Sequence, residues 1–154
     1  MGSGRSNLYE HTYGSNRHVG EKAMEHSLEG SFTRDSRGRI SRFRSGGHGQ
    51  ENIEALRREG IEFNITKEYP NGVRVGNVPA HKNKLKRSGE NQAWFPENWG
   101  PTEVRKAGSY VTGLKKNSAV PDGIPMYGTY RGVRVGVIRT NGKIATVFPD
   151  AVQP

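Results

Sequence analysis

Two histidines define the chemistry this chain has the residues to attempt. His48 stands in Gly46-Gly47-His48-Gly49, just ahead of a candidate helix, and His26 precedes it. Glycines free the backbone for unusual dihedrals and let another molecule approach closely. Histidine is the side chain whose ordinary pKa puts a proton in play near neutrality. A neutral and a charged imidazole together make an acid–base pair, each partner worth roughly 10² to 10⁴ in rate. An ordinary glycine-rich loop with an incidental histidine has the same local sequence, so the remaining residues must decide.

Cleavage of RNA suits such a pair, because it needs neither a metal nor a carboxylate. The ribose 2′-OH attacks its own phosphodiester while one group takes its proton and another protonates the departing 5′-oxygen. A cation or hydrogen-bond donor then has to face the phosphoryl oxygens as charge builds there. Metal chemistry finds less support. The other histidines are His11, His18 and His81, no His-x-x-x-His pair is present and there are no cysteines. No metal and no cofactor are therefore expected.

The elements that must hold these groups follow from pattern. The chain has 154 residues, of which 31% are apolar, with 21 glycines and 8 prolines. That suits one domain with a small core and many turns, with or without a tail. Residues 1–15 are polar and without an apolar period, and read as a linker or a cut end ahead of a domain at 16–154. Val19, Ala23, Met24 and Leu28 predict a helix over Arg17–Leu28, with Asn16 as N-cap and Gly30 as its stop. His26 then sits in the last turn, where the helix dipole favours a protonated imidazole.

Ser31 to Ser45 is rich in arginine, serine and glycine. It reads either as a solvated loop or as a hairpin turning at Ser36-Arg37-Gly38. Gln50 to Glu59 predicts a short helix ending at Gly60. Ile61 to Ile65 and Val73 to Val75 alternate around Pro70-Asn71-Gly72 and predict a hairpin. Residues 81–100 show no period. Pro101 opens a helix with Val104, Ala107, Val111 and Leu114 on one face. Three strands follow, Tyr127–Tyr130, Val133–Ile138 and Ile144–Phe148, turning at Arg131-Gly132 and Asn141-Gly142. Gly-Val-Arg-Val-Gly occurs at both 72–76 and 132–136, and both copies predict valines inward and arginine outward. The sum is an α+β fold, N-terminal helices followed by twisted antiparallel sheets.

Charge adds a partner class. Lys and Arg number 24 against 15 Asp and Glu, a net charge of +9, which suits an anionic partner, nucleic acid ahead of membrane. No stretch approaches the ~18 apolar residues of a membrane span, and no charged-then-apolar segment opens the chain.

His26-Ser27-Leu28-Glu29-Gly30 followed by Gly46-Gly47-His48 resembles the bacterial EndoU endoribonucleases. Further matches are His81-Lys82-Asn83-Lys84, Trp94-Phe95-Pro96-Glu97-Asn98-Trp99 and Thr146-Val147-Phe148-Pro149. The resemblance covers about residues 20–150. It implies a metal-independent nuclease of the barnase-EndoU-colicin-RelE fold, with His48 as base, His26 as acid and Thr146 bonding the phosphate or the base. It also implies RNA as substrate, a tRNA loop among the candidates, and a cognate immunity protein of acidic character. Such domains sit in larger bacterial toxins, secreted or delivered from the cell surface, that act in the target-cell cytoplasm. His81, Lys82, Lys84, Lys86 and Phe148 are the expected substrate contacts.

Three departures stand against the pattern. The gap between His26 and His48 is long, Phe148 replaces a tyrosine, and the lysine of the eukaryotic relatives has no clear counterpart. Lys82, Lys84 and Lys86 all lie near enough in sequence to supply its charge. Each site residue also has a structural reading. His26 is equally a helix-terminal histidine, His81 a surface residue or a substitute catalytic group, and Lys82–Arg87 a solvated loop. Thr146 is a β-branched strand former, and Trp94 and Trp99 read as packing. The rival to catalysis is a non-catalytic RNA-binding module of the same fold. A structural β-domain of a larger secreted protein is the third reading.

Overall fold

The computed structural model describes residues 17–154. The segment 1–15 and the candidate cap Asn16 lie outside the described residues. Among those residues, three helices and eight strands in three antiparallel sheets give the expected α+β class. In chain order they are α1 (Glu21–Leu28), β1 (Ser31–Arg34), β2 (Ile40–Ser45), α2 (Gln50–Arg58), β3 (Asn64–Glu68), β4 (Arg74–Asn77), β5 (Gln92–Trp94), α3 (Pro101–Thr112), β6 (Met126–Tyr130), β7 (Val133–Thr140) and β8 (Lys143–Pro149). Strands β1 and β2 pair alone, and the others form the sheets β3-β4-β5 and β6-β7-β8.

Helix α1 begins four residues later than its apolar stripe suggests, with Gly20 at the N-cap. Val19 is fully buried all the same, so it belongs to the core but not to the helix. Gly30, at φ +92°, follows the helix end where expected. The arginine-rich segment is a hairpin rather than a solvated loop. Asp35 Oδ1 closes its turn by accepting from the backbone N–H groups of Arg37 and Arg39 at 2.9 and 3.0 Å. Phe32 pairs with Phe43 across it, and Phe43 is fully buried.

The middle sheet corrects two expectations. Strand β3 begins at Asn64 and is exposed at every position, so it is a solvated edge rather than a half-buried strand. Strand β5 arises in the stretch without a period, and all three of its residues are buried. In the C-terminal sheet both turns place two consecutive residues at positive φ, Arg131-Gly132 and Asn141-Gly142. Primed turns of this kind match the right-handed strand twist and fix a tight hairpin.

Two apolar clusters result. Val133, Val135 and Val137 of β7 pack with Val104, Ala107 and Val111 of α3 and with Met24 and Leu28 of α1. The second cluster gathers Phe43, Ile53, Leu56, Val78 and Trp94. Segment 46–49 runs between them, with Leu28 and Phe43 pressed against its backbone.

Candidate active site

A helix leaves its last carbonyls without intrahelical partners, and at the end of α1 the glycine loop supplies them. The backbone N–H groups of Gly47, His48 and Gly49 donate to the carbonyls of His26, Ser27 and Leu28, at 2.9, 2.6 and 3.0 Å. Three consecutive bonds hold the loop along the helix end and bring His48 beside His26. Gly46 and Gly47 both stand at positive φ, and neither tolerates a side chain. A Cβ on Gly46 would lie 3.0 Å from Cε1 and Nε2 of His26, and one on Gly47 would lie 2.4 Å from Asn52 Nδ2. The two motifs therefore form a single unit.

Strand β5 clamps the loop from the other side. Gln92, fully buried, donates to the Gly47 carbonyl at 2.9 Å, and the Phe95 N–H donates to the His48 carbonyl at 2.7 Å. Asn52 links the layers, donating to the Glu29 carbonyl and accepting from the Trp94 indole N–H. Sequence reasoning missed Gln92 and Asn52. A polar residue inside an aperiodic stretch carries no signal of burial.

His48 is 6% exposed, and its Nδ1 lies 2.8 Å from the Ala93 carbonyl oxygen. A carbonyl only accepts, so Nδ1 carries the hydrogen and Nε2 of the neutral ring keeps its lone pair. Burial lowers the His48 pKa to about 3, helped by the charge of Lys86 and opposed by the Ala93 bond. His26 is half-buried, and its pKa is also lowered, by burial first and Lys86 second. The helix dipole had suggested the opposite direction. Desolvation and a nearby ammonium outweigh a dipole whose effect is typically below ~1 kcal/mol at a partly exposed helix end.

Lys86 is the cation common to all of these groups. Its charge depresses His26, His48 and His81 alike, and its own pKa is lowered by burial. Lys82 and Lys84 are exposed on the same loop. His81, expected at the substrate, is only 1% exposed. Its Nδ1 accepts the Asn83 N–H at 2.8 Å and its ring sits 4.4 Å from Phe43. Its carbonyl accepts from Arg42 and Arg87. His81 thus props the loop that carries Lys86, and its pKa falls to about 4 through burial and those surrounding cations.

Strand β8 closes the site. Ser27 Oγ accepts the Val147 N–H at 2.9 Å, tying the edge strand to α1. Thr146 and Phe148 flank Val147 on the opposite, open face, both half-buried, and the Phe148 ring lies 6.0 Å from that of His48. Of the predicted site residues, His26, His48, Lys86 and Phe148 come together, Thr146 lies two residues from Phe148 on the same strand face, His81 is buried, and Lys82 and Lys84 face solvent. No three His, Cys, Asp or Glu side chains among the described residues gather as a metal site, and no described helix is long and apolar enough to cross a membrane.

Residues 20–151 match the family model described as bacterial EndoU nuclease. No curated protein and no solved structure matches the chain.

Proposed function

Because the chain belongs to the bacterial EndoU nuclease family, we propose that it cuts single-stranded RNA by internal transesterification, without a metal. His48 Nε2 takes the proton of a ribose 2′-OH, and that oxygen attacks the adjacent phosphorus. The bond from phosphorus to the 5′-oxygen breaks, and the His26 imidazolium gives its proton to the leaving oxygen. The products carry a 2′,3′-cyclic phosphate and a 5′-hydroxyl. Lys86 opposes the charge that builds on the phosphoryl oxygens. Thr146 donates a hydrogen bond to the phosphate or the base, and Phe148 stacks on the base.

The observation that carries this reading is the row of three bonds from the glycine loop to the α1 carbonyls, which pairs the histidines. The Ala93 bond supports the division of roles, since it leaves His48 a free lone pair. The lowered pKa of His26 makes it a ready proton donor once an anionic phosphate alongside restores its charge. Lys82 and Lys84, exposed beside the site, suit the RNA backbone.

A tRNA loop is the first substrate to test. In this reading the chain is the toxic domain of a larger secreted or surface-delivered protein that acts in a target cell's cytoplasm. An acidic immunity protein covers its basic face in the producing cell. Incubation with total tRNA in chelator, with mapping of the new ends, tests the activity. Cuts bearing cyclic phosphates, lost in His48→Ala, are expected. No cutting by the wild type, or undiminished cutting by His48→Ala, would overturn the assignment.

A further inference from the structure

The open face of the C-terminal sheet extends the site beyond Phe148. Tyr127, Gly136 and Phe148 stand in register across β6, β7 and β8. A Cβ on Gly136 would lie 2.4 Å from Phe148 Cζ, so the missing side chain is what lets the Phe148 ring lie down across the sheet. Its centroid comes 6.0 Å from Tyr127, the two rings nearly perpendicular at 87°. Arg134, in the next row of the same face, places Cζ 4.5 Å over the Tyr127 ring. The surface leading away from His48 is thus Phe148, then Tyr127 capped by Arg134.

Arg134 is held more firmly than solvation of a sheet requires. Its Nε donates to Asp150 Oδ2 at 2.7 Å, while its side chain remains 40% exposed. Its backbone N–H donates to Gln153 Oε1, and its carbonyl accepts from Gln153 Nε2 and the Asp150 N–H. An arginine that only solubilised the surface would keep its rotamer freedom. Here the guanidinium is held over an aromatic ring by its carboxylate partner and still keeps an exposed surface. The Nε edge is occupied by a carboxylate, which disfavours a phosphate and leaves the plane as the usable surface. Unpaired bases stack on arginine planes as they do on aromatic rings.

We infer that Arg134, clamped over Tyr127 by Asp150, is a second base-stacking platform that reads the nucleotide next to the one on Phe148. The inference rests on the RNA-cutting reading above. The substrate is then held over two adjacent bases, one beside the histidines and one further along the sheet.

NMR titration of the intact chain tests this with uncleavable 2′-deoxy oligonucleotides, a dinucleotide and two trinucleotides extended at one end or the other. For the wild type, one of the two extensions tightens binding about tenfold, the scale of a single stacked base. Arg134→Ala and Arg134→Lys both reduce that ratio to about one. Because each ratio is internal to one variant, a general loss of fold or affinity cancels. Equal binding of all three oligonucleotides by the wild type, or a gain retained in Arg134→Lys, would overturn the platform, the latter pointing to a phosphate contact instead. Cleavage of the matching ribo-oligonucleotides is scored separately. A binding gain lost in both variants, without any cleavage, keeps the platform and removes the nuclease reading.

Discussion

The same five residues, Gly-Val-Arg-Val-Gly, stand in both halves of the molecule and are used differently. At 72–76 the arginine is buried. Arg74 is 7% exposed and donates to Gln50 Oε1 and to the Phe95 carbonyl. At 132–136 the arginine stays on the open face, stacked on Tyr127 and paired with Asp150. The valines point inward in both copies. An alternating strand therefore decides which residues enter the core, but neighbouring elements decide what becomes of the other face. In the first copy α2 and the 95–98 segment cover it, and in the second nothing described does.

The contrast extends to longer stretches of the chain. All five histidines lie before residue 82, and the chain up to Lys86 gathers His26, His48, His81 and Lys86, where burial first and the Lys86 charge second lower the pKa of each of these imidazoles. The second half contributes Thr146, Phe148, Tyr127 and Arg134 on one open face. In the proposed mechanism, proton-transferring groups thus come from one stretch and substrate-holding surface from the other.

The two arginines should differ most in what they contribute to stability. Arg74→Ala strands the Phe95 carbonyl and the Gln50 amide oxygen, and is expected to cost about 3 kcal/mol in urea unfolding. Arg134→Ala removes a partly exposed ion pair and is expected to cost less than about 1 kcal/mol. Equal costs would mean that the two copies do the same work. Next comes Lys86→Ala, expected to lower kcat about 10²-fold in an RNA-cleavage assay. Relief of its repulsion also raises the pKa of His26, so the alkaline limb of the pH–rate profile moves to higher pH. An unmoved limb would separate Lys86 from the histidines.

Stability also depends on pH. The folded pKa values of His48 and His81 lie near 3 and 4, below the ordinary value of about 6.5. Both histidines are buried neutral, so their contribution is complete above pH 6.5. It is lost as pH falls from there toward those values, at up to ~1.4 kcal/mol per unit for each group. Urea midpoints between pH 7 and 5 should fall accordingly. His81→Gln should flatten the slope by one group's share, whereas a substitution in the second half such as Thr146→Val should leave it unchanged.

Much of this arrangement was legible in the sequence. The C-terminal strands and their Arg-Gly and Asn-Gly turns followed from local pattern, because turn geometry and period-2 burial are written in adjacent residues. The pairing of His26 with His48 followed from a family resemblance, and its cause, the unpaired carbonyls of α1, is visible only in three dimensions. What stayed hidden depends on distant partners. Gln92 is buried because Gly47 offers it a carbonyl, Arg74 because Gln50 and Phe95 do, and His81 because Phe43 and two arginines enclose it. Lys86 could not be told from Lys82 and Lys84 until the loop was folded against β2. Where a polar side chain is stabilised inside by a group dozens of residues away, neither hydropathy nor spacing reports it.

In the proposed reaction His48 removes a proton from a ribose hydroxyl. The decisive comparison is between one RNA oligonucleotide and its copy carrying a single 2′-deoxyribose at the cut site, both in chelator. Cleavage of the first and none of the second at that position is expected. Equal cleavage of both would show that the attacking oxygen is not the ribose 2′-OH, and would contradict the role given to His48.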